Sequence, residues 1–309
     1  MHLGNVYCAL LSWLSAKSQG GGWLLRIEDL DPQRSRLEYA RQIEDDLRWL
    51  GLYWDEGGTQ AGPAGPCLQS LRYDIYRQYL DRLWNRGIVY PCHCTRADIL
   101  ATQAPHETDG RIVYAGTCRP AHLKGNPDTT LLPSPQTQVP ISVKLRLYVP
   151  DIDVEFRDLH YGTHKVNLAA HCGDFLLRRA DGAWAYQLAV VVDDALMGVT
   201  EVVRGRDLLL STPQQIWLAR LLGFPVPAYC HHPLLNNPAG QRLSKRDKSL
   251  DMGVLRQHYK PAEILGHLAH VSGIIPRYEP LSAAELLSVF NWNKVPQQDI
   301  CLSDDILVR

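Results

Sequence analysis

The chain has 309 residues, 45% hydrophobic and 21% charged, so it can bury a core and is not wholly disordered. Lysine and arginine number 32 against 33 acidic residues, and this net charge of −1 excludes a globally basic nucleic-acid binder. The sequence contains neither an apolar run of about 20 residues, as a membrane span needs, nor a signal-peptide pattern. We therefore expect a cytoplasmic protein that does not bind membranes.

Helical and strand patterns alternate along the first part of the chain. Apolar residues at helical spacing predict a helix over residues 5–19, which ends before three glycines. The short apolar run at 23–27 predicts a buried parallel strand. Two further helices are predicted over residues 35–50 and 70–87. This alternation predicts an α/β fold with a parallel sheet.

The second part of the chain has two distinct regions. Residues 88–150 are interpreted as an insertion with short strands and a long surface loop at 120–140. Strand patterns then recur at 174–177 and 188–192, and Thr212 is expected to cap a helix. The tail has a helical pattern. The resulting division is residues 1–87 and 151–255 for the two halves of the core, 88–150 for the insertion and 256–309 for a helical C-terminal segment.

Cys92, Cys94 and Cys118 are the only cysteines close together in the sequence. The scattered positions of the other five predict reduced thiols rather than a disulfide framework. Three thiolates suit a tetrahedral zinc site. Ligand chemistry alone makes His93 or His106 the ordinary choice for the fourth ligand.

Two short segments have the chemistry of phosphate binding. His2, Gly4 and Asn5 stand at the start of the first predicted helix, where backbone N–H groups and the helix dipole attract phosphate. Arg242–Arg246 follows a loop sequence, and its cations suit a pyrophosphate leaving group, whose charge grows in the transition state. Either segment alone is weak evidence.

Together with three other segments, they resemble the class I aminoacyl-tRNA synthetases for glutamate and glutamine. The five segments, in order, are His2–Asn5, Arg26–Asp31, Tyr186–Asp194, Glu201–Leu208 and Arg242–Arg246. The Cys-x-Cys at 92–94, followed by Tyr114-x-x-x-Cys118, resembles the short branch of glutamyl-Q tRNA(Asp) synthetases. The stretch after Lys245 is also too short for the anticodon-binding domain that the longer family members carry.

The resemblance implies a Rossmann-type core that activates glutamate with ATP and Mg²⁺ to glutamyl-adenylate. It further implies transfer of the glutamyl group to the queuosine base of tRNA(Asp), by a protein that we expect to be a monomer. The residues implied are His2, Gly4, Asn5 and Lys245 for ATP, with His2 and Lys245 catalytic; Glu28, Tyr186 and Arg204 for glutamate; and Cys92, Cys94, Tyr114 and Cys118 for one structural Zn²⁺.

One departure from the family pattern concerns the beginning of the chain. In the family a strand and turn precede the first signature, whereas this sequence begins at Met1, so we expect the core to lack its first strand. Our hypothesis is that the start site was assigned too late. Arg242 also stands where the family often has lysine, which keeps the charge but changes its geometry. Two alternatives are a truncated ordinary glutamyl-tRNA synthetase and a catalytically inactive paralogue that binds tRNA or a nucleotide.

Overall fold

Helices and strands alternate through most of the chain in the computed structural model. The model describes residues 1–31, 33–101, 113–130, 132, 134–135, 137–243 and 250–303. Lys245 and His106 lie outside these ranges. The described helices are α1 (Leu3–Ser18), α2 (Leu37–Trp49), α3 (Tyr73–Asn85), α4 (Arg96–Ala101), α5 (Leu168–His171), α6 (Tyr186–Leu196), α7 (Thr212–Leu222), α8 (Met252–His258), α9 (Pro261–Val271) and α10 (Ala283–Val289). None of them is long and apolar enough to cross a bilayer.

The strands form small sheets rather than one continuous layer. They are β1 (Leu24–Leu25), β2 (Glu56–Gly57), β3 (Val89–Cys92), β4 (Lys144–Leu147), β5 (Asp153–Asp158), β6 (Gly162–Asn167), β7 (Phe175–Arg178), β8 (Glu201–Gly205), β9 (Ala228–His232), β10 (Leu235–Asn236) and β11 (Ile300–Cys301). β1 pairs with β2, and β10 with β11, in parallel.

The first helix confirms the prediction for this region. Leu3, Val6, Leu10 and Leu14 are buried at helical spacing along α1. Gly20 follows the helix with a φ of 68°, a left-handed conformation that favours glycine and ends the helix. The buried face of α1 shares one hydrophobic core with the helices of the C-terminal segment, α8 to α10. The start of α1 is therefore held firmly beside that segment.

The four-stranded sheet has the order β6-β5-β9-β8. β5, β9 and β8 run parallel, and β6 forms an antiparallel hairpin with β5. The carboxyl ends of the three parallel strands therefore meet at one edge of the sheet, which is where open α/β sheets bind their ligands. The predicted α/β class with a parallel sheet is confirmed.

The second sheet is antiparallel, with the order β3-β4-β7. The pattern at 174–177 forms a strand, as predicted, and this strand, β7, pairs with β4 in the antiparallel sheet and not with the parallel strands. Within 120–140, the described residues contain a short 3₁₀ turn at Ala121–Leu123 and neither an α-helix nor a strand.

Two expectations for the second part of the chain are wrong. The apolar run at 188–192 is part of α6, not a strand, and all five of its residues are buried. Thr212 is not the cap of α7 but its first residue, because Ser211 takes the capping position. The Thr212 hydroxyl instead accepts a hydrogen bond from Arg204, at 2.8 Å. The predicted helical tail is confirmed by α8 to α10.

Candidate active site and metal centre

A cavity of about 1340 Å³ opens where α1, β1, α6 and β8 converge. Five of the residues predicted to bind ATP or glutamate line it, and they come from four of the five segments: His2, Asn5, Glu28, Tyr186 and Arg204. These segments are far apart in sequence, and an unrelated set would not be expected to share one cavity. Gly4 lies beneath His2 and not among the lining residues, while Lys245 lies outside the described residues.

The start of α1 places His2 at the edge of this cavity. His2 has an extended backbone before the first helical turn, and its backbone N–H donates to the side-chain oxygen of Asn5 at 3.2 Å. A Cβ atom on Gly4 would lie only 3.1 Å from both Nδ1 and Cε1 of His2. Glycine at this position therefore lets the imidazole fold back over the first turn of the helix.

Described residues that precede and follow Lys245 in the sequence lie against the start of α1. On one side, a Cβ on Gly4 would meet the Cβ of Leu243 at 3.9 Å. On the other side, Asp251 pairs with His2 in an antiparallel bridge, and the N–H of Met252 donates to the carbonyl of Met1 at 2.8 Å. The described residues on both sides of Lys245 therefore lie at the predicted phosphate site.

Arg26 lies between the carboxylates of Glu28 and Asp194 and holds Glu28 at the cavity. Arg26 donates from Nη1 to Asp194 at 2.6 Å and from Nη2 to Glu28 at 3.1 Å. Burial raises the pKa of the Asp194 carboxyl, and the adjacent Arg26 opposes that rise. One oxygen of Glu28 is thus oriented by Arg26, and the carboxylate is placed to accept a hydrogen bond from an ammonium group.

Tyr186 is the first residue of α6, and its ring forms part of the cavity wall. Burial is the main cause that raises the pKa of its hydroxyl. The hydroxyl therefore stays protonated at neutral pH and can donate a hydrogen bond to a ligand. This agrees with the glutamate contact that the resemblance implies for Tyr186, which stays a prediction.

Arg204, near the end of β8, is almost fully buried but also reaches the cavity. It donates to Thr212 Oγ1 at 2.8 Å, to Gln215 Oε1 at 2.7 Å and to His231 Nε2 at 3.0 Å. Within the described part of the chain, these bonds use three of the five guanidinium N–H groups. Two N–H groups are left that can bind a carboxylate in the cavity.

A second candidate site lies on the antiparallel sheet. The Sγ atoms of Cys92, Cys94 and Cys118 all lie within 4.8 Å of one another. Tetrahedral zinc with Zn–S bonds of about 2.3 Å requires sulfur atoms about 3.8 Å apart, so the three thiols fit the metal. Burial opposes ionisation of Cys118, but hydrogen bonds, the largest from Tyr114, lower the pKa of its thiol to about 6. That thiol is therefore prepared to act as a thiolate ligand.

The buried side chain of Tyr114 completes this cluster. Its hydroxyl lies 3.5 Å from the Sγ of Cys92 and 3.6 Å from that of Cys94, and it accepts the backbone N–H of Cys118 at 2.7 Å. His93 is exposed, whereas Cys92 and Cys94 on either side of it are buried. Of the possible fourth ligands that the structure describes, Tyr114 has the favourable position.

Comparison with known proteins identifies the family of this chain. A family model described as "tRNA synthetases class I (E and Q), catalytic domain" matches residues 1–298. The chain belongs to this family. It is therefore an enzyme of the ligase class, and the resemblance found in the sequence is confirmed.

Relatives of this class I synthetase are similar along nearly its whole length. Proteins named Glutamyl-Q tRNA(Asp) synthetase from Symbiobacterium thermophilum and Nitratidesulfovibrio vulgaris are 46% and 44% identical to it. The alignments cover 97% and 100% of this chain, and 91% and 94% of the relatives. A crystal structure of a glutamate tRNA ligase from Elizabethkingia meningosepticum, in complex with its amino acid, superposes with a TM-score of 0.78 at 26% identity. That match covers 99% of this chain and 65% of the other.

Residues outside the five sequence segments support the predicted ones in this synthetase. Asp158, at the end of β5, and His231, near the end of β9, lie behind Arg204. Neither belongs to one of the five segments. The available signal was weak: a histidine pair, His231-His232, at the end of a short strand pattern before a proline.

Proposed function

We propose that this chain activates glutamate with ATP and transfers the glutamyl group to the queuosine base of tRNA(Asp). The observation that carries the proposal is the convergence of His2, Asn5, Glu28, Tyr186 and Arg204 on one cavity. The names of the two relatives that are 46% and 44% identical supply the choice of tRNA and base.

In the first step, Arg204 and Glu28 hold glutamate by its charged groups. The two remaining guanidinium N–H groups of Arg204 bind a carboxylate, while Glu28 accepts a hydrogen bond from the ammonium. An α-carboxylate oxygen then attacks the α-phosphorus of ATP, and the bond to pyrophosphate breaks. His2 and the start of α1 bind phosphate oxygens, and Lys245 stabilises the departing pyrophosphate together with the Mg²⁺ that arrives with ATP.

In the second step, the adenylate is consumed by the nucleic acid. A hydroxyl oxygen on the queuosine ring attacks the carbonyl carbon of glutamyl-adenylate and loses its proton, an ester forms, and AMP leaves. Placement of the two reactants contributes most of the rate, because little covalent chemistry is asked of the protein.

The decisive experiment locates the transferred glutamate. The purified protein is incubated with ATP, labelled glutamate and one of two RNAs: a queuosine-containing anticodon stem-loop of tRNA(Asp), which has no acceptor end, or full-length tRNA(Glu). We expect label on the stem-loop only, and none on a matched stem-loop with guanosine in place of queuosine. Label on tRNA(Glu) alone would identify an ordinary glutamyl-tRNA synthetase. Absence of glutamate-dependent ATP–pyrophosphate exchange would identify an inactive paralogue.

We also propose that Cys92, Cys94, Tyr114 and Cys118 bind one Zn²⁺. The support is the spacing of the three sulfur atoms and the position of the Tyr114 hydroxyl between them. Bound zinc would supply a structural crosslink between the end of β3 and the segment at 114–118. Arg146 lies with its guanidinium 3.8 Å from the centre of the Tyr114 ring and donates to Cys92 at 3.2 Å, so it contacts two of the four proposed ligands and helps to fix their positions.

Removal of the Tyr114 hydroxyl is expected to weaken zinc binding. Tyr114→Phe keeps the ring, and we expect the zinc affinity to fall by at least the about 10–100-fold that loss of an outer-shell partner costs. Zinc content and competition with a chromophoric chelator measure the effect. His93→Ala is the matched control and should bind zinc like the wild type. The reverse order, with His93→Ala the weaker binder, would assign the fourth ligand to the histidine.

A further inference from the structure

Asp158, Arg204 and His231 lie at the carboxyl edge of three adjacent parallel strands, β5, β8 and β9. Arg204 and His231 are directly paired in the sheet register. The His231 Nε2 atom accepts from Arg204 Nε at 3.0 Å, and its Nδ1 atom lies 2.6 Å from Asp158 Oδ2. His231 and Asp158 are both buried. The three side chains thus form a line that leads from the sheet interior to the cavity.

The contacts of His231 determine where its proton resides. The Nε–H of arginine can only donate, so Nε2 of His231 carries no proton and the ring proton is on Nδ1. That N–H donates to Asp158. Burial is the largest cause that lowers the pKa of His231, and the nearby Arg204 lowers it further. The imidazole is therefore neutral at physiological pH.

Asp158 is fixed in turn by the backbone. Its Oδ1 accepts the N–H of His160 at 3.0 Å and of Tyr161 at 2.8 Å, and Oδ2 accepts the N–H of His231 at 3.1 Å. Burial opposes its ionisation, but the hydrogen bond with His231 and these backbone donors leave the pKa of the carboxyl below its ordinary value. Asp158 is therefore a carboxylate whose orientation cannot change without loss of several bonds.

We propose that Asp158 and His231 are positioning residues that direct the guanidinium of Arg204 toward the substrate carboxylate. Asp158 holds the His231 ring in the tautomer that is protonated at Nδ1, and in this tautomer Nε2 accepts the Nε–H of Arg204. The two remaining N–H groups of the Arg204 guanidinium therefore keep a constant direction into the cavity. The inference rests on the proposed role of Arg204 in glutamate binding. Neither residue lines the cavity, so neither is a catalytic residue.

Two substitutions at His231 separate this role from a structural one. The side-chain oxygen of His231→Gln can replace Nε2 as the acceptor for Arg204. The amide of His231→Asn can replace only Nδ1, the donor to Asp158. We expect His231→Asn to raise KM for glutamate by about tenfold or more, with KM for ATP and kcat within about twofold of the wild type. His231→Gln should have a KM for glutamate close to that of the wild type.

Asp158→Asn tests the contact between Asp158 and Nδ1 of His231. Because the backbone N–H groups of His160 and Tyr161 both donate to Oδ1, the amide oxygen would occupy that position and the NH₂ would face Nδ1 of His231. The imidazole proton would then move to Nε2 and point at the N–H of Arg204, as in a triad whose histidine is held in the wrong tautomer. We expect a rise in KM for glutamate similar to that of His231→Asn.

Nitrogen NMR of histidine-labelled protein gives a readout that is independent of activity. The His231 signal, assigned by its loss in His231→Gln, should show a neutral ring protonated at Nδ1 in the wild type. A wild-type ring protonated at Nε2 would overturn the proposal, as would equal changes in KM for glutamate and ATP or a milder effect of Asn than of Gln. Wild-type protein without glutamate-dependent exchange would instead contradict the proposed function, while the NMR measurement would still decide the state of His231.

Discussion

Lys245→Ala is expected to lower the rate of glutamate-dependent ATP–pyrophosphate exchange by about 10²–10³-fold. The ammonium is proposed to stabilise charge that develops on the leaving pyrophosphate, and groups that act on developing charge have effects of this size. The measurement is exchange of labelled pyrophosphate into ATP at saturating glutamate, with KM for glutamate determined in parallel.

The described residues on either side of Lys245 support this prediction. Leu243 and Asp251 both lie against the first turn of α1, where His2 borders the cavity. Arg242 forms an ion pair with Asp207 at 2.5 Å. This ion pair joins the first residue of the Arg242–Arg246 segment to the Glu201–Leu208 segment, which contains Arg204. Arg242 and Leu243, the described residues of the second predicted phosphate-binding segment, therefore lie close to the first segment or to the cavity that it borders.

Lys248→Ala is the matched control, because it removes the same charge three residues after Lys245. We expect it to retain exchange within a few-fold of the wild type, and we expect KM for glutamate to be unchanged in both variants. If Lys248→Ala and Lys245→Ala reduced exchange equally, the loss would come from the lower net positive charge near the site and not from a specific contact of Lys245 with pyrophosphate. Near-normal exchange in Lys245→Ala would remove its assignment to the leaving group.

Four of the five sequence segments contribute residues to one cavity, whereas the pattern of apolar residues at 188–192 predicts a strand where the structure has a helix. The run at 188–192 contains three β-branched valines, a composition that is typical of a strand. In the structure α6 is buried over 188–194, and a helix that is buried on nearly all sides has no polar face to reveal its period. Only its packing against neighbouring elements distinguishes it from a buried strand.

The sequence also could not predict which strands pair when they are far apart along the chain. The pairing of β7 with β4 joins residues on either side of the β5–β6 hairpin, and no local signal specifies such a partner. In the same way, Thr212 has the residue type and the following proline of a helix cap, but its hydroxyl bonds to Arg204 from another element. The candidate metal ligands could be predicted because three of them are close in sequence and share one chemistry.

The acidic pair Asp193-Asp194 shows why a motif does not assign roles by itself. Asp193 is fully buried, and its carboxylate accepts from Gln69 at 2.9 Å, Arg72 at 2.6 Å and Tyr76 at 2.7 Å. Asp194, the next residue of α6, points instead to Arg26 at the cavity. Successive positions of a helix project in different directions, so one acidic residue serves the core and the other the site.

Asp193→Asn is therefore expected to lower stability far more than activity. The substitution leaves the buried Arg72 without its counter-charge and places an NH₂ group against other donors. Loss of one partner of a buried ion pair costs about 3–5 kcal/mol. We expect the free energy of unfolding to fall by about this amount in chemical denaturation, while the folded fraction keeps kcat/KM for glutamate within about twofold of the wild type, because Asp193 does not line the cavity.

Asp194→Asn, the isosteric change one residue later, should have the opposite profile. Arg26 would lose its stronger partner, so Glu28 would lose its orientation, and misplacement of a substrate-binding group by about 1 Å can cost up to about 10²-fold in rate. We expect kcat/KM for glutamate to fall at least about tenfold, with a smaller loss of stability, because water in the cavity can hydrate the freed groups. The two variants contain the same chemical change on the same helix, so their difference measures position alone. Equal losses of activity in both would mean that the pair acts only through the stability of α6.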